Sequence, residues 1–370
     1  MGDENIRSSI SNFKSFCFNS LSFSYSNTTI FFSSKYRKKI IKEISTMKIS
    51  LLFILISISV VACSSSDEKN QEVLLTLDWY PNANHAGIYV AIEDKIFEKN
   101  SIDLSVEPPA DPATVLNLIA SGESDYGLFY QPDLLLARDQ GVPVVAIAGI
   151  VPRPLNSIMT LKSSNLIRPK DLEYKKIGFP GIPWNQSMLN TMMKCDNADS
   201  STLDVIDVGW SLGQTLLSKN VDAIIGAYWT HESIVMSNEG YETNIIYPDE
   251  WCVPPYYELI LVTSEENLEK NPEIVEKLII SLSEGYRKAI SEPQNSIDVL
   301  IKYNENSVDE KVDRAGVELL VPLWQNNNNL FGSINQEKWL DFSDWMKSEK
   351  LISSDLDVNK TYKDFSYILR

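Results

Sequence analysis

The stretch Val73-Leu74-Leu75-Thr76-Leu77-Asp78-Trp79-Tyr80-Pro81-Asn82-Ala83-Asn84-His85-Ala86-Gly87-Ile88-Tyr89 decides the architecture. Its first five residues are an apolar run of strand length. Pro81 and the asparagines break that run, and the periodic apolar stretch from Ala86 to Glu98 reads as a helix. The same alternation recurs downstream, with strands over 102–107, 125–130 and 142–151 and helices over 112–121 and 132–140. Short apolar strands joined by helices predict a parallel sheet buried on both faces.

A second unit of this kind follows: strands over 176–179, 202–208 and 222–227, and helices over 185–193 and 213–219. Two strand-like segments, 157–162 and 257–263, flank it and suit the role of paired hinge strands. The chain is thus expected to enter the second unit once and leave it once. Beyond Asn271-Pro272 the pattern is helical, over 273–291, 296–303, 311–324 and 336–349, and these helices are expected to cover the first unit. The expected fold is α/β, with two Rossmann-like lobes: residues 72–160 with 258–370, and residues 161–257. Between such lobes lies a ligand cleft that closes by hinge motion.

Composition narrows the function. A 370-residue chain with 44% hydrophobic residues is long enough for two packed lobes. Its net charge of −17, from 33 Lys+Arg against 50 Asp+Glu, repels phosphate backbones, so no nucleic acid partner is expected. The two histidines, His85 and His231, and four cysteines, Cys17, Cys63, Cys195 and Cys252, show no CxxC or HxxxH spacing, which argues against a metal site. Glycine-rich phosphate loops are missing, which argues against an ATPase or a dinucleotide enzyme. His231 and Ser233 lack the glycines of a nucleophile elbow. The spacing leaves open whether Cys195 pairs with Cys252.

Residues 47–66, Met-Lys-Ile-Ser-Leu-Leu-Phe-Ile-Leu-Ile-Ser-Ile-Ser-Val-Val-Ala-Cys-Ser-Ser-Ser, read as an export signal. The apolar run from Leu51 to Ala62 is short for a membrane-spanning helix. Val60-Val61-Ala62-Cys63 resembles a bacterial lipobox, which implies a signal peptide over 47–62 and a lipidated Cys63. Residues 63–71 then serve as a flexible tether. Residues 1–46 are Ser- and Phe-rich without periodicity, and we expect translation to begin at Met47, with 1–46 a non-native leader. Removing 1–62 leaves a chain more acidic still, because that segment is net basic.

Candidate ligand residues follow the C-terminal ends of the predicted strands, where α/β folds present their contacts. Trp79 and Trp229 offer stacking faces for a flat ring, or else belong to the core. Asn84, His85 and Glu232 offer the donors and acceptors that read ring nitrogens and amines, or else cap helices. Phe179-Pro180-Gly181-Ile182-Pro183-Trp184-Asn185 turns into a helix N-terminus whose free N–H groups can receive an oxygen, unless Asn185 is a plain N-cap. Tyr256-Tyr257-Glu258 either lines the cleft or packs the hinge.

Four segments carry a family resemblance: Leu77 to Ala91, Ala120 to Gly127, Ala137 to Val144, and Trp229-Thr230-His231-Glu232. Together they resemble the NMT1/THI5-like (SsuA/THI5-like) group across roughly residues 72–351. The resemblance implies a type II periplasmic-binding-protein fold. It also implies one of two roles: a lipid-anchored ABC-importer receptor for the formylaminopyrimidine precursor of thiamine, or a pyrimidine synthase. The synthase branch needs a lysine for pyridoxal phosphate, a ring-donating histidine and a cysteine-rich run. Aligned without gaps on Asp125 to Gly127, these fall at Phe129, Asp133 and near Val253 to Tyr257, so that branch's chemistry is missing. His85 does match a histidine of that branch.

The resemblance therefore carries Trp79, Asn84, His85, Trp229 and Glu232 over as ligand contacts. Tyr130, Trp184, Asn185 and Tyr257 are expected from cleft position. No enzyme activity and no cofactor are expected. The partners implied are a small aromatic pyrimidine and a membrane ABC permease, for an exported monomer that faces the periplasm or exterior. A sulfonate receptor, the alternative, would need basic residues in the cleft, where the candidate segments offer only Arg153.

Overall fold

The computed structural model describes residues 70–325 and 330–369. The expected leader, the signal segment, Cys63 and most of the tether lie outside the described residues. The first part of the chain alternates as the hydrophobic pattern requires. β1 (Gln71–Thr76) is followed by α1 (Ala86–Glu93) and α2 (Ile96–Lys99), β2 (Ile102–Glu107) by α3 (Val115–Ser121), and β3 (Tyr126–Phe129) by α4 (Gln131–Asp139) and β4 (Val144–Val151). The helix expected over 86–98 is interrupted: Asp94 ends α1 and Lys95 turns left-handed, φ 56°. Two short helices result.

After a crossing come β5 (Asn156–Leu161), β6 (Lys176–Phe179), α5 (Pro183–Cys195), β7 (Asp204–Asp207), α6 (Leu212–Leu217), β8 (Ala223–Tyr228), α7 (Glu232–Asn238) and β9 (Thr243–Ile246). The chain then returns through β10 (Leu259–Ser264) to α8 (Glu265–Lys270), α9 (Pro272–Ser291), α10 (Pro293–Asn304), α11 (Glu310–Trp324) and α12 (Gln336–Ser348).

Two five-stranded sheets form, in the orders β2-β1-β3-β10-β4 and β7-β6-β8-β5-β9. They are mixed, which corrects the expectation of parallel sheets. β1, β2 and β3 run parallel, but β10 inserts antiparallel between β3 and β4, with Leu261 opposite both Leu128 and Ala148. In the second sheet β6, β7 and β8 are parallel, and β5 lies antiparallel between β8 and β9. A strand buried on both faces has the same apolar sequence whichever way its neighbours run, so hydrophobicity alone could not give the direction.

The segments expected to pair as hinge strands do not pair with each other. Each lies inside a different sheet, and β5 joins the second sheet at Asn156, within the segment assigned to the first lobe. The crossings themselves are the short connections on either side, around Pro152 to Leu155 and from Tyr247 to Glu258.

The first sheet's motif loop is held from behind by α9. Gly87 on α1 and Gly285 on α9 let the two helices approach so closely that a Cβ on Gly285 would stand 2.2 Å from the Gly87 carbonyl oxygen. A Cβ on Gly87 would strike the Tyr286 ring at 2.4 Å. That ring is wholly buried, and its hydroxyl donates to the Asn84 carbonyl at 2.7 Å. In the second lobe Cys195, at the end of α5, is disulfide-bonded to Cys252 on the return crossing, with Cα atoms 5.8 Å apart. Closing a loop of 57 residues in the unfolded chain stabilises the fold by about 4 kcal/mol on chain-entropy arguments.

Candidate functional site

The C-terminal ends of the parallel strands of both sheets deliver polar and aromatic side chains to the crevice between them. β1 leads to Asp78 and Trp79. The buried His85 ring accepts the Asn82 N–H at Nδ1 (3.1 Å) and therefore donates from Nε2 to Asp78 Oδ1 (2.8 Å). Tyr130, at the end of β3, donates its hydroxyl to the other oxygen, Asp78 Oδ2, at 2.9 Å. Asp78 thus ties the motif loop to the N-terminus of α4. Burial first, and then the Asp78 charge, hold the Tyr130 hydroxyl well above its ordinary pKa. Asn84 Oδ1 is buried without a hydrogen-bond partner, while its Nδ2 donates to Asn82 Oδ1.

Glu258 holds the crossings together. It is 3% exposed, and its Oε2 accepts from the backbone N–H groups of Leu155 (2.8 Å) and Asn156 (3.0 Å) on the outgoing crossing and from the Tyr256 hydroxyl (3.1 Å). Oε1 accepts from the Tyr228 hydroxyl at the end of β8, at 2.9 Å. Burial raises the Glu258 pKa, although these donors oppose the rise. On the first turn of α4, Asp133 is raised to about 7, by burial and then by the Glu258 charge.

In the second lobe Asn156 Nδ2 donates to Asn185 Oδ1, and Asn156 Oδ1 accepts the Gly226 N–H, each at 3.0 Å. Gly226 has φ 101°, and a Cβ there would crowd Pro180 at 2.8 Å and Asn185 Nδ2 at 3.1 Å. The glycine lets β8 pass directly under the Asn185 amide. Trp184 is buried edge-on to Tyr256, ring centroids 5.8 Å apart. Across the crevice Trp79 of the first lobe meets Trp210 of the second, with centroids 5.4 Å apart and planes inclined at 48°. Trp210 is 68% exposed.

Of the expected residues, His85 and Tyr130 meet at Asp78, Trp79 meets Trp210, Trp184 faces Asp133 and Asn185 bonds to Asn156, while Asn84 is bonded to Asn82 and Tyr286. Within the group His85 orients Asp78. Three others are engaged elsewhere. Tyr257 points to the opposite side of the return segment from Tyr256 and Glu258: its ring packs over Gly149 and against Trp339, and its hydroxyl accepts the Asn335 N–H at 2.8 Å. Trp229 donates its indole N–H to the Pro154 carbonyl at 3.0 Å and packs edge-on to Tyr247, as part of the hinge packing. Glu232 caps its own loop, with Oε2 accepting the Tyr228 N–H and Oε1 3.0 Å from His231 Nδ1. Arg153 is spent on Asp249, at 2.8 and 3.2 Å, and Lys338 donates to the Pro152 carbonyl.

Sequence reading did not single out Asp133, Asn156, Trp210 and Tyr228, which stand beside the residues it did. Asp133, Trp210 and Tyr228 follow the ends of parallel strands, so the rule that found Trp79 applied to them equally. Asn156 gave no such signal, because it opens an antiparallel strand.

Two α/β lobes joined by two crossings, with polar groups converging between them, define the periplasmic-binding-protein fold. The periplasmic aliphatic sulphonate binding protein SsuA from Escherichia coli superposes with a TM-score of 0.63 over 79% of this chain and 97% of that one, at 14% identity. The model of the family described as NMT1/THI5 like matches residues 82–296, and the chain belongs to that family. A formylaminopyrimidine-binding protein of Halalkalibacterium halodurans is 33% identical over 293 residues, which are 77% of this chain and 89% of that protein. A 4-amino-5-hydroxymethyl-2-methylpyrimidine phosphate synthase of Legionella pneumophila is 22% identical over 78% of this chain and 90% of its own length.

Proposed function

We propose that this chain is a non-enzymatic substrate-binding receptor of an ABC importer, closing around a thiamine pyrimidine precursor of the formylaminopyrimidine kind. The observation that carries the reading is that aromatic and polar groups of the two lobes face each other, Trp79 with Trp210 and Asp133 with the Trp184 indole, with the buried Asn185 amide on the same helix turn left without an acceptor. Such a lining suits a flat, uncharged or amine-bearing ring. The relative named for formylaminopyrimidine binding supports the same ligand class.

Two other readings fit less well. A synthase holding pyridoxal phosphate as a Schiff base needs a lysine amine. The corresponding position is Phe129, 7% exposed in an apolar cluster, and Asp133 stands where the synthase histidine falls. These residues do not fit that cofactor. A sulfonate needs cationic donors, and Arg153 already serves Asp249.

The receptor is proposed to be exported, anchored through a lipidated Cys63, and to deliver its ligand as a monomer to a membrane permease. The Cys195–Cys252 disulfide supports an oxidising compartment. Titrating purified protein from Cys63 onward with formylaminopyrimidine by calorimetry is expected to give one-to-one binding. No heat and no thermal shift at millimolar ligand would remove the assignment.

A further inference from the structure

Two donors on the first turn of α5 lack a hydrogen bond of good geometry: the Trp184 indole Nε1, which only faces Asp133, and the Asn185 amide Nδ2, on residues 3% and 0% exposed. Buried donors are seldom left unmade in a folded protein, because their water is lost without replacement. Asn185 already uses its oxygen on Asn156, so the amide orientation is fixed and its N–H group must look elsewhere. Opposite Trp184, on the first turn of α4 in the other lobe, stands the half-buried Asp133, whose carboxyl faces the indole N–H without closing a hydrogen bond of good geometry.

Asp133 differs from the other carboxyls of the crevice. Asp78 is taken up by His85 and Tyr130, Glu232 by the Tyr228 N–H and His231, and Glu258 by four donors. Asp133 has only the Trp184 indole and its own backbone N–H. An acceptor from one lobe therefore stands beside unmet donors from the other.

We propose that Asp133 and the Trp184–Asn185 pair form a recognition edge for an amino-azine. The ligand's exocyclic amine donates to Asp133, while the adjacent ring nitrogen accepts from the second lobe. This rests on the receptor reading above and specifies which ligand edge is read. A 4-aminopyrimidine presents that donor–acceptor pair, and a 4-oxo pyrimidine presents it reversed. Because the two halves of the edge belong to different lobes, a ligand satisfies both only in the closed form, which gives the differential affinity that closure requires.

The test is calorimetric titration of wild type, Asp133→Asn and Trp184→Phe with 4-amino-5-hydroxymethyl-2-methylpyrimidine and with its 4-oxo counterpart. Wild type is expected to prefer the amino ligand by about 10- to 100-fold, the penalty range for a buried group left unpaired or opposed. Asp133→Asn, whose amide can turn to donate, should lose most of that preference. Trp184→Phe keeps the ring against Tyr256 and should weaken the amino ligand by about 10-fold. If Asp133→Asn keeps the full amino-over-oxo preference, the recognition edge is wrong while the receptor reading stands. If wild type binds neither compound nor formylaminopyrimidine, both fall.

Discussion

Glu258, buried, and Asp133, half-buried, are neighbouring carboxyls with opposite surroundings. Four donors fasten Glu258 to both crossings and to the end of β8, which makes it a structural tie. Asp133 lacks such donors, and its folded pKa of about 7 stands against about 4 in the unfolded chain. Between those values the folded state holds the proton that the unfolded state has released. Asp133 therefore costs stability as pH rises from about 4 to 7, and the cost stays constant above. Asp133→Asn is expected to raise Tm at pH 8, by about 2–4 °C per kcal/mol recovered, and to leave Tm at pH 4 unchanged. Differential scanning calorimetry at the two pH values checks this, and an equal shift at both would contradict it. At this scale sequence was a partial guide. The Trp79 to His85 motif was legible because it follows a strand end. The fates of Tyr257 and Trp229 were not, because adjacent residues of an extended segment point to opposite sides and only the three-dimensional path says which side is the crevice.

Among the elements, the βα alternation was readable residue by residue, since hydrophobic period and turn residues are local properties. The short α7 and β9 were missed: Glu232–Asn238 buries only Met236, and the strand Thr243–Ile246 buries only Ile246, so neither carries a strong period. The insertion of β10 between β3 and β4 was illegible for a different reason, since it pairs residues more than a hundred positions apart. The contact of α1 with α9 is the element on which the motif loop depends. Gly285→Ala places a methyl group within 2.2 Å of the Gly87 carbonyl, and backbone has to move to make room. We expect a loss of about 1–3 kcal/mol in chemical unfolding. Ligand affinity should fall with it, because Tyr286 supports Asn84 from the same helix. A destabilised variant with unchanged affinity would separate the loop from the helix.

For the whole molecule, the Trp79–Trp210 pair is an aromatic contact between the two lobes, and on the receptor reading it is where a flat ligand stacks. Trp210→Ala is expected to weaken ligand binding by about 0.5–1.5 kcal/mol and to leave Tm nearly unchanged, since Trp210 is mostly exposed. Intrinsic fluorescence should shift on ligand addition in wild type and shift less in the variant; the same shift in both would place the ligand away from this pair. The disulfide has a mechanical side. α5, thirteen residues long, carries the two unmet donors on its first turn and ends bonded to the return crossing that runs on to Glu258. On the receptor reading proposed above, a pull on its first turn by a ligand is transmitted through a helix pinned at its far end to the return crossing, the proposed hinge. The helix then works as a lever with a fixed fulcrum, and a reduced protein would retain the grip on the ligand but lose part of the leverage.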